Sequence, residues 1–180
     1  MVEMVVESVR VNLHTHHRVV VLKDKDADRY LPIWIGNAEA DAIVIQLQSV
    51  QVPRPQTHDL LKSVILGLGA TVTSVVVTDL ADDVFYARIL VDIDGRHVEI
   101  DSRPSDAIAL AVRVKAPIFV EEKVLDKAGV SLRTEGEEKG LTRGTDEEEV
   151  KKLSAFRDFI NTLNLDDLGR HEGGQKKPSD

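Results

Sequence analysis

Cysteine is missing from this chain of 180 residues, which excludes disulfides, thiolate metal sites and a cysteine nucleophile. Aromatic residues make up only 4%, little material for the stacking platforms that hold single-stranded nucleic acid. No apolar run approaches the ~20 residues of a membrane span. The start, Met1-Val2-Glu3-Met4, has no basic segment followed by an apolar one, so we expect a cytoplasmic, prokaryotic protein with no membrane partner. An excess of positive charge is also lacking. The net charge is −8, spread along the chain, whereas proteins that hold nucleic acid by bulk electrostatics are basic. Any action on such a polymer therefore has to rest on a local basic site or on cations that offset the carboxylates. Glycine-rich phosphate loops, nucleophile elbows and zinc-protease motifs are absent as well.

What is present is an ordinary globular composition, 42% hydrophobic and 30% charged, in a chain long enough for one domain with a substantial core. Val2 to Leu13 is rich in β-branched residues and partly alternating, with Val9, Val11 and Leu13 on one side. Val19-Val20-Val21-Leu22 reads as a second strand and Tyr30-Leu31-Pro32-Ile33-Trp34-Ile35 as a third, where Pro32 argues for an edge or a strand start. After Gly36, Asn37 is placed to cap a helix carrying Ala40, Ile43, Val44 and Leu47. Beyond Pro53-Arg54-Pro55, Thr57 is placed to cap a second helix, with Leu60, Leu61, Val64, Ile65 and Leu68 as its core stripe. Thr71–Leu80 and Phe85–Ile93 read as strands, and the Asp94-Gly95 turn joins the latter to Arg96–Ile100 as a hairpin. A helix from Pro104 to Val114 and a short strand Ile118-Phe119-Val120 follow.

Displacing the sequence by 65 positions (106 minus 41) lays Asp41-Ala42-Ile43 on Asp106-Ala107-Ile108, Ile35 on Ile100, Val19 on Val84 and Val11 on Val76, without gaps. Each half then reads strand, strand, strand, helix, so the expected fold is α+β: a mixed sheet from two duplicated βββα-like halves with helices packed on it. Chance matching of β-branched strands and Asp-Ala-Ile helix starts is the plainer account. The domain is expected to end near residue 130. A linker over 131–145, an amphipathic C-terminal helix over 146–168 and a disordered tail over 169–180 complete the expected layout. Thr145 and Glu148 suit a capping box, and Val150, Leu153, Phe156, Ile160 and Leu163 share a face.

Two polar constellations are candidates for chemistry. Asp101 at a strand end and Asp106 early in a helix could converge on Mg²⁺ or Mn²⁺, with Arg103 between them facing phosphate and Glu99 close by. The plainer reading caps the helix with Ser102 or Ser105, places Asp106 at its positive end and pairs Arg103 with a carboxylate. In Thr57-His58-Asp59, His58 could transfer a proton or bind metal while Asp59 orients it, and Arg54 upstream adds a phosphate contact. Here the plainer reading has Thr57 as cap and His58 exposed. Glu39 and Asp41 occupy the first half's helix start as Pro104 and Asp106 do the second's, so a pseudo-twofold axis would relate Asp41 to Asp106. His14, His16 and His17 lack an evident fourth ligand, and a solvated turn accounts for them. Trp34 and Tyr30 suit core or interface packing better than base stacking.

Several blocks together resemble the bifunctional nuclease domain family: Tyr30-Leu31-Pro32-Ile33-Trp34-Ile35-Gly36 with Glu39-Ala40, Arg54-Pro55 with Thr57-His58-Asp59-Leu60, Phe85-Tyr86-Ala87, and Ser102-Arg103-Pro104-Ser105-Asp106-Ala107. Pro117-Ile118 and Val120-Glu121-Glu122 extend the match, which covers about residues 1–130. The resemblance implies a mixed α+β domain, a homodimer, and a family named for members that cut both RNA and DNA. It supplies no catalytic constellation to carry over, and fold alone does not establish a site. The expected function is phosphodiester hydrolysis of RNA and DNA, with Asp101 and Asp106 as metal ligands, Arg103 on phosphate, Arg54 as a second nucleic-acid contact, and His58 with Asp59 in proton transfer. The alternative is a non-catalytic dimeric binding module, which the acidic balance and scarce aromatics favour.

Overall fold

Among the described residues, eight strands form one mixed sheet in the order β6-β5-β4-β7-β1-β2-β3-β8. The computed structural model describes residues 1–11 and 17–131, all within one unit, Met1–Thr134. The strands are β1 (Val2–Val11), β2 (Arg18–Asp24), β3 (Arg29–Ile35), β4 (Ala70–Ala81), β5 (Val84–Ile93), β6 (Arg96–Ser102), β7 (Ile118–Val120) and β8 (Val130–Ser131). The helices are α1 (Asn37–Leu47), α2 (Thr57–Gly67), α3 (Pro104–Val114) and α4 (Glu122–Ala128). β1-β2-β3 and β4-β5-β6 are antiparallel meanders flanking β7, which runs antiparallel to β1 and parallel to β4. Ser131, the expected start of the linker, ends β8; the rest of that linker, the C-terminal helix and the tail lie outside the described residues, as do His14 and His16.

Local chemistry sets the joints. Asp94 and Gly95 both adopt positive φ (53° and 82°), which suits the twist of the tight β5–β6 hairpin. Pro32 pairs with Val21 on β2, while β8 pairs with β3 only at Arg29 and Tyr30. The missing proline N–H therefore meets a side of β3 that has no strand partner among the described residues. β6 is the opposite edge, and its charges at Arg96, Glu99 and Asp101 discourage pairing with another sheet.

The core lies between one sheet face and α3. Val20, Leu22, Leu31, Ile33, Val75, Val77, Ala87 and Ile89 line the sheet, and Ile108 and Leu110 of α3 are fully buried against it. Ala107, Ala109 and Ala111 are buried too, small enough for α3 to approach β4, β5, α1 and α2 closely. Burying each large aliphatic side chain stabilises the fold by ~1.5–3 kcal/mol.

Several expectations are corrected. The stripe Leu60, Leu61, Val64 and Leu68 of α2 does not enter the core: Leu60 is 60% and Leu68 75% exposed, and only Ile65 packs on it, partly buried. The helical period is as read, but α2 is rotated so that His58, Lys62 and Ile65 face inward. Polar groups on α3 demand polar partners, and that requirement overrides the apolar stripe. Trp34 is exposed, its ring edge-on to His17 at 5.7 Å, whereas Tyr30 is buried. The caps differ: α1 starts after Gly36 and α2 after Gln56, each one residue before the expected cap, and α3 starts after Arg103 rather than after Ser102 or Ser105. Pro104 fills the first position of α3, where its lack of an N–H costs nothing.

Candidate active site

Three helix starts converge on one polar cluster. Glu39 is the third residue of α1, His58 the second of α2, and Asp106 the third of α3, with Arg103 as the cap before α3. The carboxylates sit where the positive helix ends favour them. Arg103 joins the elements: its Nε donates to Asp106 Oδ2 at 2.7 Å and its Nη2 to Glu39 Oε1 at 2.6 Å. The Arg103 side chain is 66% exposed, so the guanidinium is open to a phosphate while two acids hold it in place.

Behind Asp106 lies His58, 6% exposed. Its Nε2 meets Asp106 Oδ1 at 3.1 Å. Burial raises the Asp106 carboxyl, but hydrogen bonds from Arg103 and His58, with their charges, outweigh it and hold the group below the ordinary carboxylate range. Asp106 is thus ionised and accepts, which assigns the hydrogen to Nε2. Nδ1 is buried without a hydrogen-bond partner. His58 therefore supports Asp106 from behind, and Asp106 is the member of the pair that reaches the surface. Bonds to Asp106 and then to Glu39 hold the Arg103 guanidinium firmly protonated.

Asp59 points along α3 in the other direction. Its Oδ1 accepts from Arg113 Nε at 2.6 Å and its Oδ2 from the Gln56 backbone N–H at 2.8 Å. Burial raises this carboxyl too, yet the Gln56 and Arg113 bonds bring it below its ordinary range. Arg113, with only 2% of its side chain exposed, also donates to Ala109 O, Ala42 O and Gln56 Oε1. Asp59 belongs to this second network and makes no hydrogen bond to His58.

The structure does not bring Asp101 to Asp106. Asp101 is in register with Arg88, and strand alternation puts it with Glu99 on the sheet face opposite Ala87 and Ile89, away from α3. Glu99 pairs with Arg88. Among the described residues no group of three or more His, Asp or Glu is arranged to hold a metal. Arg54 is exposed in the segment between α1 and α2 and has no ion pair among the described residues. Asp41 pairs with Arg18 at 3.4 Å, so it does not play the part in its half that Asp106 plays in the other. Sequence reasoning noted Glu39 only as a helix-start acid and missed Arg113 and Gln56. The available signal was the seven-residue spacing of Asp106 and Arg113, two turns apart on one face of α3.

Fold and site together define an α+β domain with a guanidinium–carboxylate–imidazole cluster at converging helix starts. The bifunctional nuclease domain family matches residues 20–133, and the chain belongs to this family. An uncharacterized protein of Mycobacterium tuberculosis is 41% identical over 166 residues, covering 92% of this chain and 97% of that protein. Bifunctional nuclease 1 of Arabidopsis thaliana is 30% identical over 124 residues, 67% of this chain and 38% of that protein. Bifunctional nuclease 1 of Oryza sativa subsp. japonica is 28% identical over 120 residues, 65% and 36% respectively. The chain thus spans little more than a third of the length of these plant relatives.

Proposed function

We propose that this chain hydrolyses phosphodiester bonds of RNA and DNA at the Glu39–Arg103–Asp106–His58 cluster. The observation that carries this reading is the exposed Arg103 guanidinium, held between two carboxylates with a buried imidazole behind one of them. Arg103 would engage two oxygens of the scissile phosphate and neutralise charge as it builds up. Asp106, its Oδ1 fixed by His58 and its Oδ2 by Arg103, would accept the proton of the attacking water on a remaining lone pair as the bond to the leaving oxygen breaks, then return that proton to it. Placement of the reacting groups on three helix starts keeps them rigid.

Toward a divalent cation such as Mg²⁺ or Mn²⁺, Glu39 and Asp106 would be the protein oxygens of the cluster, in place of the expected Asp101–Asp106 pair. Glu39 and Asp106 already pair with Arg103, so the ion would share their remaining lone pairs with the guanidinium, and phosphate and water would complete its shell. When bound, the ion would supply charge neutralisation and a more acidic water.

The test is cleavage of single-stranded RNA and DNA by purified wild type, Asp106→Asn and Arg103→Gln, with and without Mg²⁺ or Mn²⁺. Loss of cleavage in both variants supports the reading, and equal cleavage by all three proteins overturns it by pointing to a contaminating nuclease. One observation favours a second reading, a homodimeric binding module without catalysis: the outward leucine face of α2. In that case wild type cleaves nothing and light scattering still finds a dimer.

A further inference from the structure

We propose that Arg113 is the positioning residue of the cluster: through Asp59 it sets the first turn of α2 and thereby holds His58 against Asp106. This rests on the reading of that cluster as the reacting site. A guanidinium is costly to bury, and an aliphatic side chain would fill the same space more cheaply, so packing alone gives no reason for arginine here.

The partners of Arg113 give that reason. They are the Ala42 carbonyl in α1, the Gln56 side chain that caps α2, the Asp59 carboxylate in the first turn of α2, and the Ala109 carbonyl in its own helix. One buried side chain thus ties together all three helices whose starts build the site. α2 depends on such ties because little of it is held by apolar contact. His58 is its one buried residue, and its leucines face outward. Three hydrogen bonds join it to α3: His58 with Asp106, Asp59 with Arg113, and Lys62 Nζ with the Arg113 carbonyl at 3.3 Å.

Geometry makes the coupling direct. Asp106 and Arg113 lie two turns apart on one face of α3, ~10.5 Å along its axis. Neighbouring residues of α2 reach one each, His58 toward Asp106 and Asp59 toward Arg113. A shift of the Asp59 anchor therefore carries the imidazole with it, and Asp106 loses the support that fixes its Oδ1.

The test uses Arg113→Lys in the full chain, which keeps a charge for Asp59 but cannot make all four bonds. Two quantities are read: kcat and KM on a single-stranded oligonucleotide, and the His58 ring signals in ¹H–¹⁵N spectra. We expect kcat to fall ~10- to 100-fold with KM within ~2-fold, and the Nε2 proton signal of His58 to broaden by exchange with solvent. Asp59→Asn should reproduce both changes, and the double variant should be no worse than either single one, because the two residues act as a unit. The proposal is overturned if a folded Arg113→Lys protein keeps wild-type kcat and His58 signals, or if the two losses simply add. Should Arg113→Lys fail to fold, Asp59→Asn gives the same readout. Should wild type cleave no nucleic acid, the functional reading falls, and the His58 signals alone decide the role of Arg113.

Discussion

Gly36 and Glu39 share a space that only one of them can fill: a Cβ on Gly36 would stand 2.3 Å from Glu39 Oε2. The glycine leaves room for the Glu39 carboxylate to fold back over the start of α1, from where its other oxygen anchors Arg103. Gly36 has φ −70°, open to any residue, so alanine there meets no backbone strain. Gly36→Ala should leave the urea midpoint unchanged or slightly raised while displacing Glu39. Cleavage, measured as kcat/KM, should fall about tenfold, the scale of one charge-assisted contact. A variant with undiminished kcat/KM would show that Glu39 has no part in placing Arg103.

The two aspartates of the Asp101–Asp106 segment should behave differently. Asp106→Asn should lower kcat ~100-fold or more, as expected for loss of a proton acceptor. Asp101→Asn, on the far sheet face opposite Arg88, should stay within about twofold of wild type. Parallel kinetics on one oligonucleotide separate them. Equal losses would mean that the cluster extends around the sheet edge.

Acid should weaken the fold through Asp106 and Asp59. Both carboxyls are lowered in the folded state, because hydrogen bonds and opposite charges outweigh the raising effect of burial. The folded protein therefore binds fewer protons than the unfolded chain. The stabilisation is present above the unfolded value of about 3.9 and is lost as pH falls through the depressed folded values. Urea unfolding between pH 7 and pH 3 should show this decline, and Asp106→Asn should be less stable at pH 7 with a shallower acid slope. An identical slope in the variant would remove Asp106 from the account.

Packing of α3 should dominate stability. Leu110 is fully buried in the core, and Leu110→Ala should cost ~2–5 kcal/mol from lost burial and the cavity left behind. A urea midpoint shift equivalent to less than ~1 kcal/mol would mean that the site collapses around the smaller side chain.

On α2 the same residue type should matter little to the fold. Leu60 and Val64 are exposed, so Leu60→Lys with Val64→Lys should change the stability of a single subunit by no more than ~0.5 kcal/mol per substitution. If α2 mediates self-association, light scattering should show the double variant dissociating where wild type does not. A large loss of stability in a monomer would mean that these two side chains are covered.

The sheet and α3 were legible because their signals are local. Alternating β-branched residues, the Asp94-Gly95 turn with two positive φ angles, and Pro104 at a helix start each act within a few residues. The α4 helix and the two-residue β8 were missed, since elements so short carry little periodicity. Within the site, Arg103 and Asp106 stood out because they are neighbours in sequence.

The order of strands and helices, the α+β class and the family resemblance follow from the amino-acid sequence by itself, because turn chemistry and hydrophobic period operate along the chain. Only the tertiary structure decided which acids meet. Asp101 and Asp106 are five positions apart, yet the sheet separates them, while Glu39 reaches Arg103, His58 reaches Asp106 and Arg113 reaches Asp59 across 48 to 64 residues. The rotation of α2 was decided the same way. Period shows that a helix has an apolar face, but the buried Arg113 and partly buried Asp106 of α3 determined that its polar face turns inward.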